Sequence, residues 1–107
     1  MTYTVRFAPE AADQLEALYR YIAAAASPAI AAGYVDAIVA HCEGLAVFPH
    51  RGTIRDDIRP GLRTTSYKKR AVIATFVDDE ARQVAILGVF YGGQDYETML
   101  TESDDAS

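Results

Sequence analysis

The sequence of 107 residues contains a single cysteine and no tryptophan. Cys42 has no second cysteine with which to form a disulfide bond, which is consistent with a reducing compartment. Residues 1–7 lack the basic and then apolar pattern of a signal peptide, and no apolar run approaches the ~20 residues that a membrane span needs. We therefore expect a cytoplasmic protein that does not cross a membrane.

Metal-binding and nucleophile motifs are also scarce. His41, Cys42 and His50 are the only soft metal ligands, and none of their spacings is Cys-x-x-Cys or His-x-x-x-His. Ser66 has no Gly-x-Ser-x-Gly context, and the glycines near residue 90 are not followed by the Lys-Ser or Lys-Thr pair of a phosphate-binding loop. The sequence thus predicts no metal, no cofactor and no nucleotide hydrolysis. His50 is interpreted as an exposed loop residue rather than a general base.

Half of the residues are apolar and 23% are charged, which provides enough apolar side chains for a folded core. A chain of this length forms one domain. We assign that domain to residues 1–100. Residues 101–107 have no apolar anchor and are expected to form a flexible C-terminal tail.

Charge is unevenly distributed around a net value of −5. Residues 51–70 carry seven basic and two acidic side chains, a local charge of +5, whereas the segments on either side are acidic. One basic island in an acidic chain indicates a local surface for an anionic target. Its basic members are our candidates for target binding: Arg51, Arg55, Arg59, Arg63, Lys68, Lys69 and Arg70.

The first half of the chain predicts one strand and two helices. Residues 2–7 alternate in hydropathy, as in a half-buried strand. Pro9 and the pair Ser27-Pro28 are start signals for two consecutive helices, which form a helical hairpin. The helical spacing of apolar residues predicts a core stripe that comprises Leu15, Leu18, Tyr19, Ile22, Ile30, Tyr34 and Ile38.

The second half predicts three strands. Residues 49–61 contain two prolines and two glycines and are expected to be irregular. Strands are predicted over residues 62–67, 70–77 and 84–91, with a polar turn joining the last two as a hairpin. A short helix over residues 96–100 completes the order β-α-α-β-β-β-α. This order predicts an α+β fold in which a helical hairpin packs on a mainly antiparallel sheet.

Four local patterns follow one another along residues 3–100. The first is Phe7-Ala8-Pro9-Glu10-Ala11, followed by Leu15, Leu18, Tyr21 and Ile22. The second is Leu45, Phe48, Pro49 and Gly52, and the third is Arg59-Pro60-Gly61-Leu62-Arg63. The fourth is the apolar run Ile86 to Phe90, followed by Gly92 and Asp95. In this order and spacing they resemble the RelE/ParE superfamily of type II toxin-antitoxin toxins, on its ParE side.

The chain departs from the pattern of that family at two places. Ala8 stands where a Ser or Thr N-cap is common, a difference worth about 1 kcal/mol of helix stability. Tyr91-Gly92-Gly93-Gln94-Asp95 stands where such toxins often have a His, a Gly and then one or two Arg. At position 94 this chain therefore lacks the basic group with which a relative could contact its target.

The resemblance implies a toxin that poisons DNA gyrase and has no catalytic site of its own. It also implies a ParD-like antitoxin, a ribbon-helix-helix DNA-binding protein that neutralises the toxin in a hetero-oligomer. The antitoxin would fold across the helical hairpin and the sheet. We expect its contacts at Leu18, Tyr21, Ile22, Val35 and Val39.

Two alternatives stay open. A RelE-like toxin would cleave mRNA on the ribosome, with basic side chains stabilising the phosphate and a tyrosine moving the proton. The residues available for those roles are Arg63, Arg70, Arg82 and Tyr91. A non-toxic relative would act only as a partner module for an antitoxin. The acidic composition favours gyrase poisoning, because an acidic protein is repelled by RNA.

Overall fold

A five-stranded sheet carries two helices on one of its faces. The computed structural model describes residues 2–92. Along the chain, the elements are β1 (Thr4–Phe7), α1 (Pro9–Ala25), α2 (Pro28–Glu43), a 3-10 turn (Gly44–Ala46), β2 (Thr53–Ile54), β3 (Leu62–Tyr67), β4 (Ala71–Asp78) and β5 (Gln83–Tyr91). The short helix expected over residues 96–100 and the tail expected over residues 101–107 lie outside the described residues.

The strands are ordered β1-β5-β4-β3-β2 across the sheet. β1 runs parallel to β5 and the other neighbours are antiparallel, so the predicted α+β fold with a mainly antiparallel sheet is confirmed. We call the end of the sheet with the β3–β4 turn the upper end, and the end with the β4–β5 turn the lower end. β4 has 8 residues, which separates the two ends by about 25 Å.

The two helices begin where the sequence signals place them. α1 begins at Pro9, and Ala8 before it makes no side-chain cap. Ser27 caps α2, because its Oγ accepts a hydrogen bond from the backbone N–H of Ile30 at 3.1 Å. The short joint at residues 26–27 leaves the two helices packed on each other as the predicted hairpin.

The main core lies between the helical hairpin and the sheet. Ile38 and Cys42 of α2 are fully buried and belong to the same cluster as Val84 and Ile86 of β5. A smaller cluster lies on the other side of the sheet, which we call the outer face. It contains Leu62, Ala74 and Phe90, with Ile58 and Leu87 packed against it. Both clusters follow from the alternation of side chains between the two faces of a strand.

The buried face of α2 differs from the predicted one. Ile30 was expected in the core but is 59% exposed, whereas the neighbouring Ala31 is fully buried. Apolar residues lie on every side of α2, so their spacing does not single out one face. The prediction is therefore wrong at Ile30, although Leu15 and Leu18 of α1 are buried as expected.

β2 lies inside the segment that the sequence predicts to be irregular. Its two residues pair with Arg63 and Thr64 of β3. Gly52 precedes it with a φ of 99°, and a Cβ at this position would lie 2.5 Å from the carbonyl oxygen of Thr64. Glycine is needed here because the backbone of this segment passes so close to β3.

By length and composition alone, the helical segment Pro28–Ala46 could cross a membrane, although the sequence was expected to contain no such run. In the structure this segment contributes Ile38, Cys42 and Leu45 to the main core. A core helix of a soluble protein passes the same test. Only 22% of the apolar window is buried, so packing on the sheet accounts for only part of its apolar composition.

Candidate functional site

A groove lies between α1 and the upper part of β5. β1 pairs with β5 from Gln83 to Ile86, whereas β5 continues to Tyr91. Beyond the end of β1, α1 takes the place beside β5. There Oε1 of Gln14 accepts a hydrogen bond from the backbone N–H of Val89 at 2.6 Å. This bond fixes the helix against the strand and defines the position of the groove.

The groove has a volume of about 300 Å³ and a largely apolar lining. Its lining residues are Gln14, Ala17, Leu18, Tyr21, Val89, Tyr91 and Gly92. Tyr21 is 64% exposed, which is unusual for a large aromatic side chain. An exposed tyrosine beside an apolar hollow is typical of surfaces that bind another protein.

Of the five residues predicted to contact the antitoxin, Tyr21 is the one with a well-exposed side chain. Leu18 is 6% exposed and belongs to the main core, although it also lines the groove. Ile22, Val35 and Val39 are half-buried and pack against the main core. The candidate surface therefore narrows to Tyr21 and the groove beside it, because the other apolar side chains of the hairpin are used for packing.

Three tyrosines and a histidine pack together near the upper end of the sheet. The ring of Tyr34 makes edge contacts with Tyr67 and Tyr91 at centroid distances of 6.0 and 5.7 Å, and the His41 ring lies 5.3 Å from Tyr67. Burial raises the pKa of Tyr34 and lowers the pKa of His41. Both side chains are therefore uncharged at neutral pH, and the cluster joins α2 to the strand ends beside the groove.

The seven basic candidates for target binding divide between two elements of the chain. Arg51, Arg55 and Arg59 flank β2 and Arg63 lies in its partner strand β3, whereas Lys68, Lys69 and Arg70 follow β3 at the upper end. In the first group, Nη1 of Arg63 donates to the carbonyl oxygen of His50 at 2.9 Å, and Arg55 pairs with Asp57 at 2.9 Å. At least two of these four arginines therefore make contacts within the protein.

The four residues available to an mRNA endonuclease do not come together. Tyr91 and Arg70 lie at the upper end, since Tyr91 is opposite Ala71 in the sheet. Arg82 lies in the β4–β5 turn at the lower end, and Arg63 is opposite Thr75 near the middle of β4. A general acid must be within hydrogen-bond reach of the phosphate that the cations hold. Arg82 lies about 25 Å from Tyr91 along the sheet and cannot serve the same phosphodiester.

A hydrogen-bonded cluster that the sequence does not signal lies at the lower end. Oδ1 of Asp79 accepts a hydrogen bond from the hydroxyl of Tyr3 at 2.6 Å and lies 2.8 Å from Nε2 of His50. The hydrogen bond from Tyr3 lowers the pKa of Asp79, and the same bond raises the pKa of Tyr3. The three residues come from distant parts of the sequence, so no spacing indicates their contact. They tie β1 and the loop after α2 to the β4–β5 turn.

We expect this cluster to make folding stability depend on pH at both ends of the range. The pKa of Asp79 is lowered, so its contribution is present above about pH 4 and is lost as the pH falls through the folded value. The pKa of Tyr3 is raised, so its contribution is present below about pH 10 and is lost as the pH rises through the folded value.

Thermal unfolding of the wild type and of Tyr3→Phe measures this dependence. The two melting temperatures should differ most near neutral pH, and the difference should shrink as the pH falls through the folded pKa of Asp79 and as it rises through the folded pKa of Tyr3. A difference that stays constant across this range would show that the hydroxyl of Tyr3 acts independently of the charge on Asp79.

Residues 2–92 contain no group of three or more His, Cys, Asp or Glu side chains that could hold a metal ion. Cys42 is buried in the main core, where burial raises the pKa of its thiol to about 12. A thiol in this state is a small core side chain rather than a nucleophile.

Comparisons with known proteins agree with the fold. The family model of the ParE toxin of the type II toxin-antitoxin system parDE matches residues 5–96. A solved structure of the chromosomal ParDE toxin-antitoxin system from P. aeruginosa has a TM-score of 0.73 and 22% identity, and the alignment covers 84% of this chain and 96% of that chain. No curated protein sequence matches at a significant level.

Two RelE-type structures are also similar. The toxin-antitoxin complex RelBE2 from Mycobacterium tuberculosis has a TM-score of 0.62 and 25% identity, over 86% of this chain and all of that chain. A double mutant of the E. coli toxin RelE in the free state has a TM-score of 0.67 and 12% identity, over 97% of this chain and 98% of that chain. The likenesses to the P. aeruginosa and E. coli structures concern the fold alone, because their identities are so low.

Proposed function

This chain belongs to the ParE toxin family of type II toxin-antitoxin systems, and from that premise we propose that it poisons DNA gyrase in the cytoplasm and is neutralised by a ParD-like antitoxin. The observation that carries the proposal is the separation of the residues that an mRNA endonuclease would need. Tyr91 and Arg70 lie at the upper end of the sheet, Arg63 lies near its middle, and Arg82 lies at the lower end.

The outer face of the sheet gives further support to a non-catalytic toxin. In the middle of the sheet this face carries the apolar cluster of Leu62, Ala74 and Phe90. Phosphoryl transfer depends on positive groups aimed at the phosphate. The buried cluster offers no such groups, and Arg59 is the one cation among the described residues that line the hollow beside it, so the middle of this face is better suited to packing than to phosphate chemistry.

The groove beside Tyr21 offers the kind of apolar surface that an antitoxin segment could bind. A disordered antitoxin segment that folds on binding needs apolar surface to offset its ordering entropy. The groove supplies this surface with Ala17 and Val89, and the exposed ring of Tyr21 extends it. We propose that an apolar side chain of the antitoxin enters the groove and that the antitoxin main chain crosses α1.

The four arginines around β2 remain the candidates for contact with gyrase. Arg51 is exposed, and its guanidinium carbon lies 5.9 Å from the ring centroid of the exposed Phe48. Arginine beside an aromatic ring is a frequent combination in protein interfaces. Val47 is 60% exposed in the same loop, so this segment presents both charge and apolar area to a protein target.

Induced expression of the toxin alone, with and without Tyr91→Phe, tests the choice of target. If the toxin poisons gyrase, loss of one hydroxyl costs at most one hydrogen bond, about 0.5–1.5 kcal/mol. We expect Tyr91→Phe to arrest growth almost as strongly as the wild type, with DNA breaks accumulating after induction and mRNA remaining intact.

An mRNA endonuclease would give a different result. If Tyr91 acts in acid/base catalysis, Tyr91→Phe should cleave mRNA roughly 10²–10⁴-fold more slowly than the wild type. Loss of growth arrest in a Tyr91→Phe protein that still binds the antitoxin, together with cut mRNA from the wild type, would exclude gyrase poisoning as the activity. Normal growth on expression of the folded wild type would instead identify a non-toxic partner module.

A further inference from the structure

The β3–β4 turn has a backbone conformation that its residues do not favour. Three residues connect β3 and β4, and within them the backbone N–H of Arg70 donates to the carbonyl oxygen of Tyr67 at 3.0 Å, which closes a β-turn. Lys68 and Lys69 occupy the two central positions with φ values of 50° and 58°. Two positive φ values in a hairpin turn define type I′, for which Asn-Gly is the favoured sequence. Lysine is strained at both positions because its Cβ crowds the backbone there.

The same turn concentrates positive charge. Lys68, Lys69 and Arg70 are all exposed, and within residues 2–92 none of them forms an ion pair. Nζ of Lys68 lies 5.5 Å from the ring centroid of Tyr67, which keeps that side chain near the tip of the turn. Three cations therefore project from one narrow hairpin without a carboxylate that neutralises them in the described chain.

The acidic turn of the sheet is too distant to cancel this charge. Asp78, Asp79 and Glu80 lie at the lower end, about 25 Å from the β3–β4 turn along β4. The Debye length at physiological ionic strength is about 8 Å, so these carboxylates are screened from a ligand at the upper end. These three carboxylates therefore do not prevent the turn from attracting an anion.

We propose that the β3–β4 turn, residues 67–70, binds the phosphate backbone of double-stranded DNA. Strained residues in a turn that would fold better as Asn-Gly indicate that the lysine side chains are retained for binding. Lysine supplies compact charges that suit phosphate groups without reading bases. A narrow hairpin with three cations can reach neighbouring phosphates of one strand.

The surroundings of the turn favour DNA over an acidic protein. A protein interface has an apolar core surrounded by a polar rim. The large exposed apolar side chains of the described chain are Tyr21, Ile30, Val47, Phe48, Ile54 and Phe76, and none of them belongs to the turn. Phosphate contacts need charge alone. The binding is expected to be independent of base sequence.

The full chain and a variant with the favoured turn sequence provide the test. Lys68→Asn combined with Lys69→Gly removes two charges and relieves the backbone strain, so the variant should be at least as stable as the wild type. Lys68→Arg combined with Lys69→Arg keeps both charges and serves as the matched control. Binding to a fluorescently labelled DNA duplex of random sequence is measured by anisotropy at several salt concentrations, without gyrase or antitoxin.

We expect the Asn-Gly variant to bind DNA about tenfold or more weakly than the wild type at low salt, and the Arg-Arg variant to bind like the wild type. Three phosphate contacts predict a slope of about −2.7 for log K against log salt, and the Asn-Gly variant should have a slope of about −0.9.

Equal DNA affinity of the wild type and the Asn-Gly variant would overturn the proposal and leave the lysines with no binding role. Poly-glutamate that binds the turn as tightly as DNA would also overturn it, in favour of an acidic protein partner. Neither outcome bears on gyrase as the target, because the measurement contains only the toxin and its probe.

Discussion

Replacing Tyr21 by Asp is expected to weaken antitoxin binding by more than about tenfold without unfolding the toxin. Tyr21 is 64% exposed, so a carboxylate at this position in the free protein remains in water. In the complex the antitoxin would cover it beside the apolar lining of the groove. Burying an unpaired charge at an interface costs several kcal/mol, which corresponds to the expected loss of affinity.

Ala12→Asp is the matched control for this change. Ala12 is also exposed on α1 but does not line the groove. An Asp in the first turns of a helix is compatible with the helix dipole. Titration calorimetry with the antitoxin should show wild-type affinity for Ala12→Asp and weak binding for Tyr21→Asp, while circular dichroism shows both proteins folded. Unchanged affinity of Tyr21→Asp would exclude the groove as the antitoxin site.

Replacing Ile38 by Ala is expected to lower the free energy of unfolding by about 2–5 kcal/mol. Ile38 is fully buried between α2 and the sheet, in the same cluster as Leu45, Ile73 and Ile86. Truncation removes three carbon atoms and leaves a cavity that rigid neighbours on a sheet cannot fill completely. Urea unfolding followed by circular dichroism measures the loss.

Ile30 on the same helix provides a control of the same chemical type. Ile30 is 59% exposed, so Ile30→Ala should change the free energy of unfolding by no more than about 0.5 kcal/mol. Comparing the two variants distinguishes the observed buried face of α2 from the predicted one, because the predicted face includes both isoleucines. Equal losses for the two variants would favour the predicted face.

The fold could be predicted from the sequence wherever one physical signal dominates. Pro9 and Ser27 mark helix starts because each satisfies the geometry of a first turn. β3, β4 and β5 are long enough to be recognised, whereas the two-residue β2 is not. The buried face of α2 could not be predicted, because Ile30 and Ile38 are equally apolar and only the fit against the sheet decides between them.

The candidate site could be predicted only in part. Tyr21 was identified as an aromatic residue off the core stripe, and its exposure agrees with that prediction. Val35 and Val39 also lie off the predicted core stripe, yet they pack against the main core. The strain at Lys68 and Lys69 has no signal in the sequence either, because a backbone angle depends on the turn length that the strand register imposes.

The bond between Gln14 and Val89 also limits how a partner can engage the sheet. A strand that ends early beside a longer neighbour normally leaves a template on which another chain can build by main-chain pairing. Here a side-chain amide already takes the N–H of Val89. An incoming extended segment would have to break that bond before it gained its own. Main-chain pairing with this part of β5 is thereby disfavoured, and recognition at this position is left to side chains.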